Sequence, residues 1–118
     1  MDSKSFLLAK EYLSKVVKIV IDRPLGSIHP KWNFEYLANY GYLEGVLAPD
    51  GEELDAYVLK VDKPLKEYVG KVVAIIHRTD NDDDKLVVIP EIETITDEEI
   101  EKMVEFQEKW FKHQIVRK

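Results

Sequence analysis

The chain has 118 residues, enough for one domain with a single core, and residues 1–118 read as one unit. Its composition (45% hydrophobic, 34% charged, net charge −6) suits a globular protein and argues against disorder and against nucleic-acid binding, which needs a basic surface. With no cysteine, thiol chemistry is excluded; no apolar run approaches the roughly 20 residues of a membrane span, and the start Met1-Asp2-Ser3-Lys4 does not read as a signal peptide, so a cytoplasmic location is expected.

Residues 4–14, with Phe6, Leu7, Leu8, Tyr12 and Leu13 set among charges, predict a short amphipathic helix. The β-branched run Val16 to Ile21 predicts a strand, ended by the turn residues Asp22-Arg23-Pro24-Leu25-Gly26-Ser27. A basic loop, His29-Pro30-Lys31, follows. Trp32 to Tyr42 is densely aromatic without helical periodicity. Within it, Tyr36 and Tyr40 read either as core residues with satisfied hydroxyls or as donors to a phosphate.

Leu43 to Leu47 leads into the turn Pro49-Asp50-Gly51. Strands are predicted at 56–61, 71–77 and 85–89, the first two separated by a polar segment between Pro64 and Gly70. Thr96 and Glu99 form a capping-box pattern. Ile100, Met103, Val104, Phe106, Gln107, Trp110 and Phe111 then recur at helical spacing, predicting a C-terminal helix of roughly four turns packed on the sheet.

Two acidic segments carry the chemistry. In Asp50-Gly51-Glu52-Glu53-Leu54-Asp55, four carboxylates fall within six residues at a turn that feeds a strand. Alternation along an extended chain sets Glu53 and Asp55 on one face and Glu52 on the other, while Asp50 on the turn can converge with Asp55. Clustered carboxylates repel one another unless a cation lies between them, and hard divalent ions such as Mg2+ suit oxygen clusters. The plain alternative is a solvated acidic turn. The second segment, Thr79-Asp80-Asn81-Asp82-Asp83-Asp84-Lys85, joins two apolar runs and puts a lysine beside the carboxylates. An EF-hand is excluded: Lys85 stands where that loop needs glycine, and the flanks read as strands. His29, His77 and His113 have no second histidine at helical spacing and read as surface or hydrogen-bonded residues; His77-Arg78 lies near the acidic loop, within reach of a phosphate.

Together, Tyr36-Leu37-Ala38-Asn39-Tyr40-Gly41-Tyr42, Asp50 through Asp55 and Asp80 through Val87 resemble the soluble, magnesium-dependent inorganic pyrophosphatases of the small-barrel family, over about Lys18 to Phe111. The resemblance implies an α+β, mostly β fold: a five-stranded barrel of the oligonucleotide-binding type with a C-terminal and a short N-terminal helix. It implies pyrophosphate as substrate, Mg2+ (with Mn2+ as an alternative) as cofactor, and a homo-oligomer. Asp50, Asp55, Asp80 and Asp83 correspond to metal ligands, with Asp55 bridging two ions. Glu52 stands where the family has an aspartate that helps to activate water. Lys18, Tyr36, Tyr40 and Lys85 correspond to phosphate contacts, with Arg23 or Lys31 as a further cation.

Several positions depart from the pattern. The chain begins close to its first strand, so a preceding segment carrying a carboxylate has no counterpart here. Val20 replaces a second carboxylate, Glu52 is one methylene longer than aspartate, Leu37 replaces a proline, and Trp110-Phe111-Lys112 only partly matches a Tyr-Lys pair. Weakened activity is the expectation. Two other readings stay open at this stage: a hydrolase of another phosphoanhydride or phosphoester, and a non-catalytic module binding metal, nucleotide or a protein partner.

Overall fold

The computed structural model describes residues 4–47, 51, 53–79 and 83–118. In chain order the elements are α1 (Lys4–Lys10), β1 (Val16–Arg23), β2 (Asn39–Leu47), β3 (Glu53–Val58), β4 (Glu67–Arg78), β5 (Lys85–Ile89), α2 (Asp97–Glu108) and β6 (His113–Val116). The sheet runs β1-β2-β3-β5-β4-β6, and a further β1–β4 pairing closes the first five strands into the expected barrel. Every pairing is antiparallel except β3 with β5. β4 is long enough to serve two partners on one edge, β1 through residues 67–71 and β6 through 75–78.

Two apolar cores follow from strand alternation. Inside the barrel, Ile19, Leu43, Leu54, Ala56, Val58, Val72, Ile75, Leu86 and Val88 meet Phe6, Ala9 and Leu13, which plug one end of the barrel from α1 and the turn after it. On the outer face, Tyr40, Tyr57, Val87 and Ile89 pack under Ile100, Val104 and Phe106 of α2. β5 is therefore covered on both sides, and all five of its residues are buried. That explains its continuous apolar run.

Gly41 is where β1 and β2 come closest: a Cβ there would overlap the carbonyl oxygen of Val20. Gly51, two residues before β3, takes φ +87°, which glycine adopts without strain. Asn39 is fully buried and ties two loops together. Its Oδ1 accepts from the amides of Leu25 and Leu65, both at 3.0 Å, and its Nδ2 donates to the carbonyl of Lys63 at 2.9 Å. The asparagine of the Asn-Tyr-Gly-Tyr run is thus a clamp between the loop after β1 and the loop after β3.

The capping box forms as expected, with the Glu99 amide donating to Thr96 Oγ1 at 3.2 Å and the Thr96 amide to Glu99 Oε1 at 2.9 Å. Helix α2 nevertheless stops at Glu108, short of the predicted Phe111. Trp110 and Phe111 lie in the turn beyond it, and the chain then pairs as β6, a strand that the helical spacing of the aromatics concealed. The N-terminal helix is likewise shorter than predicted, ending at Lys10 with a turn to Ser14. Among the described residues no helix is long and apolar enough to cross a membrane.

Candidate active site

Register brings the site together. The parallel pairing of Ala56 with Leu86 and of Tyr57 with Val87 carries Asp55 and Lys85 side by side on the outer face of the barrel. Across β2, Tyr40 pairs with Tyr57, so its hydroxyl reaches diagonally toward Asp55. On the other flank Ile76 pairs with Lys85, and Arg78 lies two residues further along the same face. Asp83 and Lys85 share one side of the incoming chain, and Asp84 takes the other.

The Lys85 ammonium sits between two carboxylates, 2.8 Å from Asp55 Oδ2 and 2.7 Å from Asp83 Oδ1. Tyr40 donates its hydroxyl to Asp55 Oδ2 at 2.9 Å. Burial, then the Asp55 and Asp83 charges, push the Tyr40 phenol well above its ordinary pKa, so it remains a donor. Arg78 donates from Nη1 to Asp83 at 3.1 Å and grips Glu108 with Nε and Nη2 at 3.0 and 2.8 Å. Burial alone would disfavour the guanidinium charge, but its bonds to Glu108 and the Asp83 charge outweigh that and raise its pKa. The Phe111 ring stacks 3.7 Å from the guanidinium carbon.

Behind this pair, Glu108 also accepts from Tyr57 at 2.6 Å, Gln107 donates to the Tyr57 hydroxyl at 2.6 Å, and Tyr36 donates to Gln107 at 3.1 Å. Asp84 points inward, accepting from Ser5 Oγ at 2.9 Å and from the Arg78 amide at 3.1 Å, with His77 Nδ1 at 2.9 Å. The His77 ring lies on Phe6 with centroids 4.1 Å apart, so α1 is docked against the base of the acidic loop.

These groups open into a cleft of about 680 Å3, lined at one end by Asp22, Arg23, Asp55, Arg78, Asp83 and Lys85 and at the other by aromatic rings. Of the residues expected from sequence, the cleft gathers Arg23, Tyr36, Tyr40, Asp55, Asp83 and Lys85. Asp50, Glu52 and Asp80 lie outside the described residues. Lys18 stands apart, exposed on β1 with its ammonium 2.9 Å from Glu67 and 3.4 Å from Glu44. Lys31 is also outside the lining, its ammonium 4.8 Å from the centre of the Trp32 ring. His29 accepts from the amides of Lys31 and Trp32 and His113 lies 2.6 Å from Glu101, hydrogen-bonded as expected.

Sequence reasoning passed over Asp22, Glu108 and Gln107. Asp22 lies at the irregularity between Ile21 and Arg23, where the alternation along β1 is broken, so strand periodicity gave no signal for it. Glu108 and Gln107 gave no local signal, because their partners are 30 and 50 residues away. Among the described residues no three carboxylate or imidazole groups converge as a metal shell. Asp55 and Asp83 are nonetheless hard oxygen donors turned toward one cationic centre, which is the donor chemistry a divalent ion of the Mg2+ type requires.

Comparison with known proteins agrees with this geometry. A family model described as inorganic pyrophosphatase matches residues 10–116. Among solved structures, the fold is similar to an inorganic pyrophosphatase from Ehrlichia chaffeensis (TM-score 0.68, 14% identity, covering 89% of this chain and 87% of that one). It is also similar to the enzyme from Helicobacter pylori (0.67, 17%, 91% and 87%) and to that from Neisseria gonorrhoeae (0.60, 22%, 77% and 70%). No curated protein matches the sequence.

Proposed function

Because the chain belongs to the inorganic pyrophosphatase family, whose activity is hydrolysis of pyrophosphate to two phosphates, we propose that the Asp55–Asp83–Lys85 end of the cleft is where it performs that reaction. The observation that carries this reading is the Lys85 ammonium held between two carboxylates at the buried end of an open cleft. Such an arrangement, one ammonium between two carboxylates, keeps a cation at hand for a phosphate and leaves carboxylate oxygens for divalent ions, whose charge is what would let the site receive a polyanion. Asp55 and Asp83, together with Asp50 and Asp80 as the family resemblance implies, would hold Mg2+, or Mn2+ in its place. When bound, the ions supply charge neutralisation at the phosphoryl oxygens and a lower pKa for the attacking water.

The chain's own groups do the rest. Lys85 and the Tyr40 hydroxyl exchange their carboxylate contacts for phosphate oxygens, and Arg23, at the end of β1, has no ion pair among the described residues and can turn to the substrate. Arg78, anchored by Glu108, keeps Asp83 aimed into the cleft. Glu52 stands where the family resemblance expects help in activating water. Asp22 offers the cleft a carboxylate near the one that Val20 lacks. Water attacks phosphorus directly, with no phosphorylated side chain. The family resemblance supports a homo-oligomer and a cytoplasmic setting; both belong to this proposal.

The test is phosphate release from pyrophosphate with magnesium. Wild type should turn over, and Asp55→Asn should lower kcat by about a hundredfold or more. Background rates for wild type in both Mg2+ and Mn2+ would sink the assignment.

A further inference from the structure

Inorganic pyrophosphate has no apolar surface, yet half of this cleft is aromatic. From the Lys85 end outward, Tyr40, Tyr36, Phe34 and Trp110 follow one another with ring centroids 5.7, 5.2 and 5.3 Å apart, making a continuous wall. His29 stacks on Phe34 at 5.0 Å, and Trp32 adds to the mouth. Tyr36 and Tyr40 are buried, whereas Trp32 and Trp110 at the mouth are 66% and 56% exposed, leaving ring surface open to a ligand. Each indole also carries a lysine, Lys31 and Lys109, with the ammonium 4.8 Å from the ring centre. The mouth is flat-faced, and both lysines lie outside the residues that line the cleft. Its volume lies within the range of clefts that hold ligands much larger than two phosphates, about 300–1,000 Å3.

We propose that the cleft also takes a nucleoside diphosphate, with the base on the Phe34–Trp110–Trp32 wall and the anhydride at the Asp55–Asp83–Lys85 end. The inference rests on the reading of that end as a phosphoanhydride site. Aromatic rings stack on any base through its π-face, so the wall selects for a base without reading which one. The reaction is the same in kind as for pyrophosphate. The water oxygen bonds to the terminal phosphorus, the bridging P–O bond breaks with its electron pair going to the bridging oxygen, and that oxygen leaves on the nucleoside monophosphate. Inorganic phosphate is released, and the water's proton passes to solvent.

Trp32 and Trp110 are the chain's two tryptophans, so intrinsic fluorescence reports on the wall directly. The experiment titrates the full chain with ADP in magnesium, following tryptophan quenching, and measures phosphate release from ADP and from pyrophosphate in parallel. Saturable quenching by ADP is expected, together with phosphate release from it. Trp110→Ala should weaken ADP binding and lower its kcat/KM by about tenfold while pyrophosphate turnover stays within twofold. Trp32→Ala, at the more exposed position, provides the same comparison if Trp110→Ala folds poorly. Pyrophosphate turnover without ADP binding or hydrolysis overturns this inference and leaves the pyrophosphatase reading standing. Equal loss on both substrates in both variants also overturns it, because the wall would then be structural or an interface between copies. Turnover of ADP with none of pyrophosphate supports it and overturns the pyrophosphatase reading instead.

Discussion

Removing the Glu108 carboxylate should cost this protein a large part of its stability. Glu108 is fully buried and accepts three hydrogen bonds, two from Arg78 and one from Tyr57, while Arg78 itself is only 5% exposed. Glu108→Ala leaves a guanidinium largely out of water with one remaining carboxylate, Asp83, at 3.1 Å on the cleft side. Breaking a buried pair from one side costs about 3–5 kcal/mol, and the surviving Asp83 contact places this case near 3. For a chain of 118 residues that corresponds to a fall in Tm of roughly 12 °C. The assay is urea and thermal unfolding of wild type, Glu108→Ala and the double variant Arg78→Met/Glu108→Met. Because the penalty comes from stranding a charge, the double variant should be more stable than Glu108→Ala. A loss below about 1 kcal/mol in the single variant, or a double variant less stable than the single, refutes the argument.

Two further outcomes follow from the packing and the buried phenols. Gly41→Ala drives a methyl into the Val20 carbonyl where β1 and β2 touch, and neither backbone can yield without opening the barrel; a loss above about 4 kcal/mol is expected, seen as insoluble expression or a collapsed thermal transition. Stability should also decline at alkaline pH. Burial first, then the neighbouring carboxylates Asp55 and Glu108, raise the Tyr40 and Tyr57 pKa values well above 10, so the folded chain keeps protons that the unfolded chain releases there. This contribution is intact below pH 10 and is lost above it, by about 1.4 kcal/mol per pH unit for each tyrosine. Urea unfolding at pH 8, 10 and 11 reads the slope, and a flat or rising profile would contradict it.

Features that depend on near neighbours along the chain could be read from the amino-acid sequence. β5 was legible to the residue, because an apolar run covered on both faces between an acidic loop and Pro90 admits one reading. The Thr96–Glu99 capping box was legible because both of its bonds close within one turn. The carboxylates, the lysine and the tyrosines were legible as chemistry, and the resemblance they carry gave the barrel. Where the same local signal had two physical causes, it misled. Trp110 and Phe111 extend the helical spacing of α2, yet their rings belong to the cleft, and the polypeptide leaves the helix at Glu108 to pair with β4.

Which polar groups meet is set by the folded barrel. Asp55, Asp83 and Lys85 converge because β3 and β5 are parallel neighbours in a particular register, a fact absent from either strand alone. Of two adjacent aspartates, Asp83 turns into the cleft and Asp84 turns inward to Ser5 and His77, and that choice is made by α1 docking some 79 positions away in sequence. Glu108 reads as one more charged helix residue until Arg78 and Tyr57 are seen beneath it. Turns, caps and buried strands are settled by interactions over a few residues, whereas a site is settled by strand register and helix docking, which only the closed barrel fixes.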